Sequence, residues 1–337
     1  MEKRTFIIAE LSANHNQNLN NAVETIRAAK RVGADAIKLQ TYTQDTMTID
    51  SHKSDFSIQH GTAWDGKFLY DLYKEAYTPW EWHKELFDVA KEEGLICFSS
   101  PFDKTAVDFL ETLNCPIYKI ASFEITDVPL IRYVASKGKP IIMSIGIATL
   151  EDVELAIQVC KEEGNYDITI LKCTSEYPAK PEDANLLTIA DIKTRFGTKV
   201  GLSDHTMSAE VPMLSVALGA EVIEKHFILD RSIGGPDAHF SLDEKEFAEM
   251  VEAVRRTEKI LGKVDYELTE KKKKSRSFAR SLYVVEDVKK GDVITEKNIR
   301  SIRPGYGLHP RYLNDILGKK FNRDVEKGER MSLEFVT

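Results

Sequence analysis

KVGLSDHTMSAEVPMLSVALGAEVIEKHF, residues 199–227, carries the reading that decides the fold. KVGLSDHT is a short apolar run ending in polar residues. AEVPMLSVALGA has the texture of a helix, and VIEKHF, from Val222, is a second short run. Strand, helix and strand in this order form a βαβ unit with parallel strands. The same alternation fills residues 1–262. TFIIAE (from Thr5) precedes a helix near Leu19, and AIKLQTY (from Ala36) precedes a long connection and a helix near Trp80. ICFSSP, IYKIAS, PIIMSIG and ITILKCTS follow, each with a helical run after it, and EKEFAEMVEAVRRTEKILG closes the series after VIEKHF. Parallel strands buried on both faces read as nearly continuous apolar runs. Eight such units in about 250 residues predict a (β/α)8 TIM barrel. An open doubly wound sheet is the alternative, but no GxGxxG follows a strand to support it.

Polar residues gather where the strands end: Glu10, Lys38, Gln40, Ser99, Ser100, Lys119, Ser122, Glu124, Ser144, Lys172, Ser175, Ser203, Asp204, His205, Glu224 and His226. A barrel builds its active site at that end. Buried polar groups need partners, so their clustering predicts a shared polar cavity. Asp103 and Thr149 stand where helix caps are expected. The connection from Thr43 to Pro79 is long enough to be a lid, a substrate wall or a packed excursion. After Gly262 the texture changes. Residues 263–277 read as a charged linker with the run Lys271–Lys274, and 278–337 as a small, mostly β domain. Its turns at Asp287–Gly291 and Asp324–Gly328 each place a glycine where positive φ is expected. A core that small is marginal and predicts support from the barrel or from a second subunit.

The 337 residues carry 30% charged side chains and a formal net charge of −8, which argues against a nucleic-acid surface. The first apolar stretch is too short for a signal-peptide core, no run is long enough to cross a membrane, and the four scattered cysteines read as free thiols. These features predict a soluble cytoplasmic protein.

His205 and His226 end neighbouring strands and lack thiol company, which suits Mn, Mg, Co or Zn with open coordination positions; each could equally be a hydrogen-bonded core residue. Glu224 shares a strand face with His226, so it either orients that ring or neutralises a lysine. Lys38, Lys119 and Lys172 either surround an anion or pair with carboxylates, and one of them could form a Schiff base with a keto acid. Glu10 and Glu124 are acid–base candidates. Asp237, in GGPDAHF, is a site residue or a turn residue.

Together, IIAELSANHNQNL, ADAIKLQTYT, CFSSPF, YKIASFE, GLSDHT, VIEKHF, GGPD and KKGDVIT…RPGYGLHP resemble the sialic acid synthase family along almost the whole chain. The tail is similar to the antifreeze-like (SAF, β-clip) domain of these enzymes. The resemblance implies a condensation of phosphoenolpyruvate with an amino-sugar aldehyde, assisted by a divalent metal on His205 and His226. It implies that Lys38, Ser100, Lys119, Ser122, Ser144 and Ser203 hold phosphoenolpyruvate and that Glu10 handles the proton of the attacking water. It further implies that Glu124, Tyr177 and Asp237 contact the sugar, and that Arg303 reaches the barrel of a partner in a domain-exchanged homodimer. LSANHNQNL, LICFSSPFD, FARSLY and RPGYGLHP look more like the pseudaminic-acid branch, whose acceptor is 2,4-diacetamido-2,4,6-trideoxy-L-altrose. The N-acetylneuraminate and legionaminate branches are the alternatives. Ser175-Glu176-Tyr177 and Ser144-Ile145-Gly146 depart from the N-acetylneuraminate pattern. A metal-free Schiff-base aldolase and a non-catalytic glycan-binding protein are the readings of other classes.

Overall fold

Strand β1 (Phe6–Glu10) pairs in parallel with both β2 (Ala36–Thr41) and β8 (Val222–His226), from Phe6↔Val222 to Glu10↔His226, and this pairing closes a barrel. The computed structural model describes residues 4–59, 61 and 64–337. Between β2 and β8 stand β3 (Ile96–Pro101), β4 (Tyr118–Ile120), β5 (Ile141–Ser144), β6 (Ile168–Cys173) and β7 (Lys199–Asp204), in sequence order around the ring. The TIM barrel expected from the alternation is the observed fold.

Helices cover the ring. They are α1 (Leu19–Arg31), the short α2 (Gln44–Met47), α3 (Leu69–Ala76), α4 (Trp80–Glu92), α5 (Lys104–Thr112) and α6 (Val128–Ala135). Then follow α7 (Leu150–Glu162), α8 (Leu187–Phe196), α9 (Glu210–Ala217) and α10 (Glu244–Leu261). Local chemistry sets their ends. Asp103 accepts from the amides of Thr105 and Ala106 at the start of α5, and Thr149 with Asp152 forms a capping box on α7. Gly197, at φ 66°, closes α8 with the left-handed turn that glycine adopts without strain.

Around β1 and β2, strand parity separates two faces. Ile7, Ala9, Ile37, Leu39 and Cys97 cluster with Ile26, Leu86, Phe247 and Met250 of the helices, while Ile8, Ala36, Phe98 and Ile142 belong to a second buried cluster that includes the barrel interior. Each fully buried aliphatic or aromatic side chain contributes about 1.5–3 kcal/mol. Gly201 on β7 faces this interior. A Cβ there would stand 2.4 Å from the Val222 carbonyl oxygen and 2.6 Å from Leu171 Cδ2, so the close approach excludes any side chain.

The connection between β2 and α4 holds α2, a 3-10 turn (Ser54–Phe56) and α3. It is ordered by its own hydrogen bonds, Ile58 N to the Lys67 carbonyl and Gly66 N to the Ile58 carbonyl. Trp64 Nε1 donates to the Pro236 carbonyl at 3.1 Å, and Gln17 Nε2 donates to the carbonyls of Glu75 and Tyr77.

The chain divides into two compact units, 1–262 and 263–337. In the second, the segment read as a linker carries a helix, α11 (Glu270–Arg276), because Thr269 caps it and Glu270 pairs with Lys273 one turn on. An antiparallel pair, β9 (Ser281–Val284) and β10 (Ile299–Ile302), packs Leu282, Val284 and Ile299 with Phe321, Val325 and Met331. The rest of this mostly β unit pairs only through isolated bridges such as Val293↔Lys320 and Val288↔Val325. Gly291 and Gly328 adopt φ of 95° and 96°, as their turns require. Arg303 is exposed, just past β10. The four cysteines are free and buried. No helix among the described residues is long and apolar enough to cross a membrane.

Two buried histidines brace the β1–α1 and α3–α4 connections. His83 Nδ1 donates to the Pro79 carbonyl, so its Nε2 accepts from Thr41 Oγ1 at 2.8 Å. His15 Nδ1 accepts from the Gln17 amide, so its Nε2 donates to Thr78 Oγ1. The Gln17 amide requires a neutral His15, burial favours a neutral His83, and burial pushes each ring down to about 4 from 6.5. Unfolding releases them to the ordinary value. Their contribution is therefore complete above pH 6.5 and lost as pH falls through 4, up to about 3 kcal/mol per ring. All three tryptophans lie in the first unit, so their fluorescence follows the barrel alone. Urea unfolding at pH 7, 5.5 and 4.5 is expected to show this acid slope, and H83Q to flatten it; an unchanged slope in H83Q contradicts the assignment.

Candidate active site

The inward positions of the strands meet at the carboxyl end of the barrel. Glu10, Lys38, Gln40, Lys119, Ser144, Cys173, Ser203, His205, Glu224 and His226 line one cavity of about 450 Å³. Ser122, Glu124, Tyr177, Asp237 and Phe240 join from the loops.

An ion network occupies its floor. Lys38 Nζ lies 3.0 Å from Glu10 Oε2 and 3.0 Å from Glu224 Oε1. Lys119 Nζ stands 3.5 Å from the same Glu224 oxygen and donates to Ser144 Oγ at 2.7 Å. Gln40 Nε2 donates to Glu10 Oε1, and Ser203 Oγ to Glu224 Oε1. Two ammonium groups thus face two carboxylates. Burial alone would raise the Glu10 carboxyl, but Lys38, His226, Gln40 and Lys119 outweigh it and hold it well below the usual range. Lys119 is lowered, by burial first and then by Lys38. Glu224 therefore neutralises lysines rather than orienting His226.

Glu124 differs. Burial pushes its carboxyl up to about 7, against the pull of Lys119, and its Oε2 is buried without a partner. Ser122 Oγ accepts from the Ile147 amide and from Ser175 Oγ at 2.8 Å. Gly146 lies over this pair. A Cβ there would fall 2.1 Å from Ser175 Oγ and 2.8 Å from Ser122 Oγ.

The two histidines stand side by side, with ring centroids 5.3 Å apart and planes tilted by 52°. His205 Nδ1 faces the Thr174 carbonyl at 2.7 Å and must donate to it, so in the neutral ring the lone pair sits on Nε2. Burial would lower this ring, but Cys173, the Thr174 carbonyl and Asp204 outweigh it and raise it. His226 Nδ1 is buried without a partner, and its Nε2 lies 3.5 Å from Glu10 Oε2. Burial lowers His226 and favours the neutral ring. In their neutral forms these two adjacent buried imidazoles fit a divalent ion that keeps open positions. No group of three or more His, Cys, Asp or Glu poised for a metal exists among the described residues.

Tyr177 packs on His205 with centroids 4.4 Å apart, and Phe240 packs on Tyr177 and His226. Asp237 accepts from Ser12 Oγ and from the Ala13 amide, so it holds the loop after β1 while facing the cavity. Ser100, paired in register with Gln40, keeps a buried hydroxyl without a partner but stands outside the cavity lining.

Two expectations need correction. Lys172 does not join the other lysines. It has the opposite parity to Cys173 and donates to the Cys173 carbonyl and Thr174 Oγ1. Asp204 likewise faces away from the histidines and pairs with Lys225, which also donates to the Thr206 carbonyl. Cys173 was missed as a site residue. Its thiol lies 4.0 Å from His205 Nδ1 and 3.7 Å from Ser175 Oγ. The period of two along β6 contained the signal for both Lys172 and Cys173.

A family model described as the NeuB family matches residues 25–266, and one described as the SAF domain matches 279–330. A pseudaminic acid synthase from Campylobacter jejuni is 50% identical over 330 residues, covering 98% of this chain and 96% of that protein. A pseudaminic acid synthase from Helicobacter pylori is 50% identical over 329 residues, 97% of this chain and 96% of that one. The crystal structure of an N-acetylneuraminic acid synthetase from Leptospira borgpetersenii in complex with citrate superposes with a TM-score of 0.72. It is 31% identical and covers 81% of this chain and 90% of that chain.

Removing the Lys38 ammonium leaves two buried carboxylates short of a cation. K38M is expected to lose on the order of 3–5 kcal/mol by urea unfolding followed through tryptophan fluorescence. A loss below about 1 kcal/mol, the range of a surface pair, contradicts the triad. Glu124 binds its proton more tightly folded than unfolded. Its contribution is present below pH 4.5 and lost as pH rises through 7. E124Q is therefore expected to gain about 1–3 kcal/mol over the unaltered protein on going from pH 5 to pH 8; parallel pH curves for the two proteins exclude the raised carboxyl.

Proposed function

Because the chain belongs to the NeuB family, we propose that it is a pseudaminic acid synthase. It condenses phosphoenolpyruvate with 2,4-diacetamido-2,4,6-trideoxy-L-altrose and water to give pseudaminic acid and phosphate. The observation that carries this reading is the buried Lys38–Lys119–Glu10–Glu224 cluster beside the adjacent rings of His205 and His226.

The roles follow from the chemistry. Lys38, Lys119, Ser122, Ser144 and Ser203 hold the phosphate and carboxylate of phosphoenolpyruvate; the part in this expected of Ser100 is not supported by its place outside the cavity lining. Hydroxyl and ammonium donors suit both anions. A divalent ion, Mn, Mg or Co, held by His205 and His226 would add the positive charge that the balanced lysine–carboxylate cluster lacks and would polarise the aldehyde. Carbon C3 of phosphoenolpyruvate forms the new bond to the aldehyde carbon, and water adds at C2. Phosphate then leaves by C–O cleavage. Glu10 is ionised and buried, so it is placed to accept the proton of that water. Glu124, near 7, can hold a proton for the aldehyde oxygen at neutral pH. Tyr177 and Asp237 contact the sugar. The reading also assigns Arg303 of a second copy to the sugar, which makes the working form a domain-exchanged homodimer in the cytoplasm.

The test is phosphate release from phosphoenolpyruvate with the altrose sugar, with N-acetylmannosamine and with the legionaminate precursor, before and after EDTA. Release with the altrose sugar, abolished by EDTA and restored by Mn or Mg, is expected. Release with another sugar alone changes the acceptor and keeps the reaction. A borohydride-trapped pyruvate adduct on Lys119, without phosphate release, replaces the synthase by an aldolase.

A further inference from the structure

The cavity is chemically divided. Its floor carries the lysines, glutamates and histidines, whereas the connection between β2 and α4 supplies Met47, Ile58, Trp64, Leu69, Leu72 and Tyr73. Those side chains have no part in the ion network. Ile58 and Leu72 are 7% and 8% exposed, so the wall is packed from behind rather than afloat in solvent. Tyr42, at the end of β2, packs edge-on against Tyr73 at 5.9 Å and against Phe102 at 5.2 Å. Trp64 lies 5.8 Å from Tyr177, which in turn covers His205. An aromatic path thus runs from the histidines to the wall. The hydrogen bond from Trp64 Nε1 to the Pro236 carbonyl fixes the wall to the loop after β8.

We infer that this apolar wall is the specificity determinant for the far end of the acceptor, and that it selects a sugar whose C6 is a methyl group rather than a hydroxymethyl. The inference rests on the reaction proposed above. With the aldehyde at the histidines, an open-chain hexose reaches away from the floor, and its C4 to C6 atoms meet the wall. A 6-deoxy sugar with an acetamido group at C4 presents two methyl groups there. Burying them removes apolar surface from water at the wall. A hydroxyl at C6 would lose its water among Met47, Ile58 and Leu72; Ser57, Asp55 and the Tyr73 hydroxyl are polar groups of this connection that also line the cavity. The aldehyde and phosphoenolpyruvate are unaffected by this choice, so the wall sorts acceptors without touching the reacting atoms.

The experiment compares kcat/KM for 2,4-diacetamido-2,4,6-trideoxy-L-altrose and its 6-hydroxy counterpart, in the full-length protein and in M47Q, L69Q and M47L. Met47 and Leu69 are only half-buried, so these variants are chosen over changes at Ile58 or Leu72. A hydrophobic site rejects an added hydroxyl by roughly 10–100-fold, which is the preference expected of the unaltered protein. M47Q and L69Q are expected to cut that ratio about fivefold or more, with the KM for phosphoenolpyruvate unchanged; M47L is expected to keep it. A ratio near one in the unaltered protein overturns the inference without reference to any variant. So does a ratio that stays constant in folded M47Q and L69Q. In both cases phosphate release continues and the reaction stands. Absence of release by the unaltered protein with every sugar overturns the reaction itself, and the inference with it.

Discussion

The Lys38 ammonium stands 3.0 Å from Glu10 and 3.0 Å from Glu224, joining β2 to the two strands that close the ring on its other side. A buried carboxylate is costly unless paired, and here one cation serves two of them. The pairing has consequences around the cavity. It keeps Glu10 ionised beside His226, and it leaves Glu224 shared with Lys119 and Ser203. It also settles the charge of the floor. Two cations against two anions make a balanced site, which is where anions and a divalent ion can be added together without a large change in net charge.

The remaining carboxyl at the cavity obeys the opposite rule. Glu124 has no ammonium in direct contact, so burial prevails and its proton is held to about neutral pH. Two glutamates a few strands apart thus take opposite protonation states from their surroundings alone. An acid and a base in one cavity are a basis for moving protons in both directions. The apolar wall completes the division. Chemistry is assigned to the strand ends, and selectivity to the inserted connection, as barrels commonly separate the two.

The barrel was legible because its signal is repeated. Eight short apolar runs, each followed by a helical one, fit few other architectures, and the caps at Asp103 and Thr149 are local hydrogen bonds that a sequence specifies directly. The turns at Gly291 and Gly328 are legible for the same reason, since positive φ is a property of one residue. The mostly β texture of the second unit is legible too, but beyond β9 and β10 only single bridges form, because pairing depends on what lies opposite.

Alternation along the chain sets the parity of every strand, and with it which residues are able to reach the cavity. Lys38, Lys119, Glu224 and His226 were visible in this way; Lys172, Asp204 and Cys173 were equally decidable once alternation was followed residue by residue. Only the tertiary structure decided who pairs with whom. Glu224 had a ring and three lysines as candidate partners. Ring closure between β1 and β8 brings Lys38 within hydrogen-bonding distance of it and leaves His226 Nδ1 without a partner. The residues involved are far apart in the chain, and distances across a closed barrel come from its strand number and stagger, which no local pattern encodes.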